Sequence, residues 1–131
     1  MARPAQARKV CQLPQCTRFF PESIASSVEV QLTVDEYEAL RLMDLEGFTQ
    51  AECAQSMGTA RTTVQSIYAS ARRKVARMLV ERRPLVITGG VYRLCPGLEP
   101  TCPCDGCEKH RCCRCASDLP ERKANIMRIA V

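Results

Sequence analysis

The sequence has no tryptophan, a single histidine, and aromatic side chains at only 5% of its 131 residues. A chain so poor in large rings must build its core from small and aliphatic side chains, and Ala, Val, Leu, Ile and Met recur here at helical spacing. A mainly α domain is expected. His110 has no recognisable acid–base partner, and no phosphate loop or nucleophile motif is present, so an enzyme is the least supported class. No stretch approaches the roughly 18 consecutive apolar residues of a membrane span, and nothing at the amino terminus reads as a signal peptide. These features predict a cytoplasmic protein with no membrane partner. The length suits one compact domain and an appendage.

The net charge of +5 is modest but unevenly spread. Arg3, Arg8, Lys9 and Arg18 make the start basic, and Asp35, Glu36, Glu38, Asp44, Glu46 and Glu52 make the next stretch acidic. From 61 to 83 the sign reverses: Arg61, Arg72, Arg73, Lys74, Arg77, Arg82 and Arg83 stand against the single acid Glu81. A polyanion is the natural partner of such a segment, with a solvated helix face as the bland alternative.

Residues 1–27 carry Pro4, Pro14 and Pro21 with the pair Phe19 and Phe20, show no helical period, and are expected to form an extended basic arm. Val28, Val30 and Leu32 alternate with polar residues, as in a half-buried strand, and Leu85 to Thr88 offers a match stopped by Gly89 and Gly90. A small two-stranded pairing is expected, since a lone strand leaves its ladder groups unsatisfied.

Thr33-Val34-Asp35-Glu36 and Thr49-Gln50-Ala51-Glu52 are capping boxes that announce two helices. The first should present Tyr37, Leu40, Leu42, Met43 and Leu45 as its apolar stripe up to Gly47, and the second should run to Gly58. A third helix, from about Ala60 to Arg82, gathers Val64, Ile67, Tyr68, Ala71, Val75, Met78 and Leu79 on one face and stops at Pro84.

A helix-turn-helix needs a small residue where its two helices cross, a residue tolerant of positive φ at the turn, and apolar residues on the buried face of the second helix. Ala54, Gly58, Val64 and Ile67 answer those needs, with Cys53 and Met57 filling the core; an ordinary helical hairpin is the alternative. The opposite face would then present Arg61, Thr62, Gln65 and Ser66 to bases of double-stranded DNA, with Arg72, Arg73 and Arg77 gripping phosphates.

Met1-Ala2-Arg3-Pro4, Leu13-Pro14, Phe20-Pro21, Leu32 to Leu42, Asp44-Leu45-Glu46-Gly47, Ala71-Arg72-Arg73-Lys74-Val75-Ala76 and Gly89-Gly90 together resemble uncharacterised protein family 0251, the domain of unknown function 134. The resemblance covers roughly residues 1–92. It implies a DNA-binding protein with a helix-turn-helix similar to region four of sigma factors, and residues 28–92 are expected to form that DNA-binding domain. The family usually has Ser before the Arg that opens the third helix. Ala60 stands there, so the cap must come from Thr59 or be weak.

Cys95, Cys102, Cys104, Cys107, Cys112, Cys113 and Cys115 crowd an irregular segment, 93–117, interleaved with Pro and Gly. Such a segment cannot build an apolar core, and thiolates around a metal can order it. Cys104-Asp105-Gly106-Cys107 is a Cys-x-x-Cys knuckle, and zinc and an iron-sulfur cluster both accept four thiolates. Disulfides and a metal-free redox switch are the alternatives, and Cys11, Cys16 and His110 are further candidate ligands. Residues 118–131, with Ile126, Met127 and Ile129, form a short tail suited to a helix or to docking a partner.

These features point to a sequence-specific DNA-binding protein, a transcriptional regulator with a metal- or redox-responsive tail, expected to act as a homodimer because one short reading helix supplies little specificity. The alternative is a metal-cluster carrier or assembly scaffold whose helices bind another protein.

Overall fold

Thr33 and Thr49 each close a reciprocal hydrogen-bonded box, and the two boxes fix where the first helices begin. The computed structural model describes residues 7–95. Thr33 Oγ1 accepts from the Glu36 amide at 3.3 Å while Glu36 Oε1 accepts from the Thr33 amide at 2.9 Å, opening α1, Val34–Leu40. Thr49 and Glu52 repeat the exchange at 3.1 and 3.0 Å, opening α2, Gln50–Met57. Each box satisfies two amides that the helix itself leaves without partners. The third helix, α3, is Arg61–Glu81. Its end is set by Arg82, left-handed at φ 50°, and by Pro84 beyond it.

Helix α1 does not run straight to Gly47. Residues Arg41–Leu45 continue it as a π-helical segment, in which the Glu46 amide donates to the Arg41 carbonyl, five residues back, at 2.9 Å. The wider turn shifts the phase of the apolar stripe. Leu42 is fully buried, whereas Leu45, expected on the same stripe, is 67% exposed.

Among the described residues five short strands flank the helices: β1 Arg8–Val10, β2 Arg18–Phe19, β3 Val30–Leu32, β4 Leu85–Ile87 and β5 Tyr92–Leu94. The expected pairing is present as β3 with β4, parallel, with Val30 beside Leu85 and Leu32 beside Ile87. It is parallel because all three helices intervene and return the chain to the same end. Two features correct the sequence expectation of a single two-stranded pairing. β4 also pairs antiparallel with β2, giving the order β2-β4-β3, and β1 pairs parallel with β5 in a second sheet. Val28 lies outside β3 and is exposed. Residues 7–27 thus contribute two strands, and Lys9 and Val10 of β1 are fully buried.

The core has two parts. Val10, Val30, Leu32, Val34, Leu85 and Ile87 pack with Ala71 of α3, while Ala39, Leu42, Phe48, Cys53, Ala54 and Met57 pack with Val64 of α3. Helix α3 is therefore fastened at two places, two turns apart, and each fully buried aliphatic side chain such as Val64 contributes about 1.5–3 kcal/mol. Past Ala71 the contact thins. Leu79, expected on the packed face, is 66% exposed because it lies in the last turns, beyond α2. Among the described residues no helix is long and apolar enough to cross a membrane.

Candidate nucleic-acid interface

The turn between α2 and α3 is built on Gly58, left-handed at φ +64°, whose amide donates to the Ala54 carbonyl. A side chain at Gly58 would meet no neighbour within 4 Å, so glycine is favoured there by backbone conformation and not by crowding. The Thr59 amide donates to the same Ala54 carbonyl at 3.0 Å and turns the chain into α3. Ala54, Cys53 and Met57 below the turn, and Val64 above it, are buried in one cluster against which Ile67 packs.

With Val64 and Ala71 inward, the other edge of α3 is left in solvent. Arg61, Thr62, Gln65, Ser66, Arg72, Arg73 and Arg77 are all exposed. Ala60 occupies the cap position and no side chain bonds the first turn, so neither Ala60 nor Thr59 supplies a cap. A cleft of about 620 Å³, lined by Arg8, Gln55, Thr59 and Thr63 among others, lies beside this end of the helix. Helix amino termini carry partial positive charge and accept anions well.

The cations of the basic segment divide by what they touch. Lys74 donates to Glu36 at 2.7 Å, Arg82 to Ser23 at 3.2 Å, and Arg83 to the Val28 carbonyl at 2.8 Å, so these three hold the fold together. Arg72 lies over the Tyr68 ring at 5.2 Å and faces Asp44 at 3.8 Å, while the Tyr68 hydroxyl donates to the other Asp44 oxygen. That hydrogen bond, with some burial, raises the Tyr68 phenol above its usual value. Tyr68, expected on the packed face, is instead part of this surface triad. Among the described residues, Arg61, Arg73 and Arg77 have no ion-pair partner.

A buried ionic cluster at the end of α1 was missed by the sequence reading. Glu38 and Arg41 are both buried and joined by two hydrogen bonds, and the Glu38 carboxylate also accepts from the Cys11 amide at 2.6 Å. The signal available was the three-residue spacing of opposite charges on one helix. Burial pulls the Arg41 guanidinium down, but Glu38 prevails and holds it above its ordinary value. Burial also pushes the Cys11 and Cys53 thiols up to about 12, with the Glu38 charge adding to both.

Of the candidate metal ligands, Cys11 and Cys95 are buried and Cys16 is exposed. Cys102, Cys104, Cys107, Cys112, Cys113, Cys115 and His110 lie outside the described residues, as do residues 118–131. Among the described residues no cluster of three or more His, Cys, Asp or Glu side chains is placed to hold a metal ion.

The family model described as "Protein of unknown function DUF134" matches residues 1–95, the whole of the described fold. A UPF0251 protein of Desulfitobacterium hafniense is 54% identical over 113 residues, covering 85% of this chain and 90% of its own. A UPF0251 protein of Halothermothrix orenii is 45% identical over 96 residues, covering 72% of this chain and 71% of its own. One from Desulforudis audaxviator is 48% identical over 94 residues, covering 70% and 61%. No solved structure matches the chain.

Proposed function

The chain belongs to the DUF134 family of proteins of unknown function, and on the strength of its surface we propose that it is a sequence-specific binder of double-stranded DNA acting as a transcriptional regulator. The observation that carries this reading is the exposed edge of α3, where Arg61, Arg73 and Arg77 stand without acidic partners among the described residues while Lys74, Arg82 and Arg83 are engaged elsewhere. In this reading the edge enters a major groove. Gln65 and Arg61 offer bidentate hydrogen bonds to adenine and guanine, and Thr62 and Ser66 offer hydroxyls. Arg73 and Arg77 take phosphates, with a further phosphate beside Arg8 at the uncapped start of α3. A homodimer would double the contacts, and the cysteine-rich segment, through its thiolates from Cys102 to Cys115, would bind zinc or an iron-sulfur cluster and bias DNA affinity through the two states of that segment.

The reading is tested by mobility shift of random-sequence duplex across a salt series. Binding that weakens with a log–log slope of about −3 or steeper is expected, since each neutralised phosphate contributes about −0.9. No binding at low ionic strength would end it.

A second reading, a scaffold or metal-cluster carrier that binds protein, is favoured by a groove of about 440 Å³ bounded mainly by apolar side chains, including Phe19, Leu40, Leu45 and Ile87. A partner held there would dissociate with little dependence on salt.

A further inference from the structure

Two cysteines far apart in the sequence are brought together where β1 and β5 finish. The parallel register places Arg8 beside Tyr92, Lys9 beside Arg93 and Val10 beside Leu94, and the Cys95 amide donates to the Val10 carbonyl at 2.8 Å. Cys11 and Cys95 are the residues that directly follow the last paired positions of the two strands, Val10 and Leu94. Both side chains are buried, at 4% and 3% exposure, neither is in a disulfide, and Cys95 is near enough to act electrostatically on Cys11. Adjacent strands run about 4.7–4.9 Å apart, inside the roughly 4.4–6.8 Å between α-carbons that a disulfide requires. The other two described cysteines differ: Cys53 packs against the Met57 sulfur at 3.7 Å, and Cys16 donates to the Arg18 carbonyl at the surface.

We infer that Cys11 and Cys95 form a reversible modification site, closing an intramolecular disulfide by exchange with a small-molecule disulfide such as oxidised glutathione. One cysteine thiolate attacks a sulfur of the small disulfide, breaking its S–S bond and releasing a thiolate that takes up the proton the cysteine lost. The second cysteine then loses its proton, attacks the protein sulfur of the mixed disulfide and expels the second small thiol. Two protein thiols become one disulfide, and one small disulfide becomes two thiols. Burial of both thiols makes this closure slow, because exchange with a small disulfide depends on access to the attacking sulfur. Once formed, the bond ties β1 to the point from which the cysteine-rich segment leaves, and it encloses almost the whole described domain in one covalent loop. The site does not depend on whether the protein binds DNA.

The test is to equilibrate the full chain with a series of reduced and oxidised glutathione mixtures, quench with an alkylating agent and map the cross-links by mass spectrometry. A peptide joining Cys11 to Cys95 is expected to dominate the cross-links of either residue and to appear with a higher urea midpoint, because closure of a long loop restricts the unfolded chain. Cys11→Ser and Cys95→Ser should each abolish the oxidation-dependent rise in midpoint, and Cys16→Ser should retain it. Should Cys95 be found joined instead to a later cysteine, or Cys11 remain alkylated at every ratio, the proposal is overturned. The mapping uses the natural chain, so the cross-link is decided there even if a variant fails to fold.

Discussion

The Arg41 guanidinium grasps both carboxylate oxygens of Glu38, Nε to Oε1 at 2.7 Å and Nη2 to Oε2 at 2.9 Å, with neither side chain in solvent. The same carboxylate holds the Cys11 amide, and the same guanidinium reaches Glu46 at 3.3 Å, so this one pair connects the end of β1, helix α1 and the close of the π-helical segment. Removing one member of a buried pair costs about 3–5 kcal/mol when the other charge is left uncompensated, and without Glu38 the Arg41 guanidinium keeps only its longer contact to Glu46. Glu38→Gln should therefore lower the urea midpoint by that equivalent while leaving the slope of the transition unchanged. A loss below about 1 kcal/mol would mean that Glu46 and water suffice to compensate Arg41.

Glu36 links α1 to α3 through Lys74 and Ser70 while also closing the Thr33 box. Burial pushes its carboxyl upward, but the hydrogen bonds from Lys74, Ser70 and Thr33 outweigh that and hold it below its usual 4.5. A depressed carboxyl contributes stability that is complete above its unfolded value and is lost as pH falls through its folded value. The wild type should lose stability on acidification across that window faster than Glu36→Gln, with the two curves converging at the acid end. Urea midpoints at a series of pH values check this, and parallel curves would refute it.

Asp44 restrains Arg72 from one side while Tyr68 supports it from below. Asp44→Asn should free the guanidinium for phosphate, strengthening binding to every duplex alike by a few-fold, since exposed pairs are worth about 0.2–1 kcal/mol. The same change should bring the Tyr68 phenol back toward its ordinary value, because the hydrogen bond to Asp44 is the main cause of its elevation. Ultraviolet titration of the tyrosines reads the second effect without any DNA present.

Gln65 and Arg73 are expected to separate reading from gripping. Gln65→Ala should relax base preference at one position by about 1–3 kcal/mol, whereas Arg73→Ala should weaken all sequences and reduce the salt slope by about 1. Binding-site selection on both variants distinguishes them, and identical effects would refute the division.

What could be read in advance follows the range of the forces involved. The capping boxes at Thr33 and Thr49, the glycine turn at Gly58 and the stop at Pro84 are local, and each lies where the residue types placed it. The packed face of α3 was legible at Val64 and Ala71, whose helical spacing faces the core, but not at Leu79, whose exposure depends on where its neighbours end. Strands β1 and β5 are three residues long with no period to detect, and they exist through pairing with one another. The extra residue of the π-helical segment likewise leaves no local mark, although it decides that Leu42 is buried and Leu45 is not. Glu38 and Lys9 looked like members of charged surface stretches, and only tertiary packing shows that both are fully buried.

The parallel partnership of β1 with β5 sets a timing constraint on the nascent polypeptide. Residues 8–10 can pair only once 92–94 have been made, so the smaller sheet must close after the other described elements have left the ribosome. Until then Val10 has no edge to dock on, and the helices must hold their first contacts without it. Closure of that last sheet, and not of any helix, should be the final step by which the domain reaches its native state.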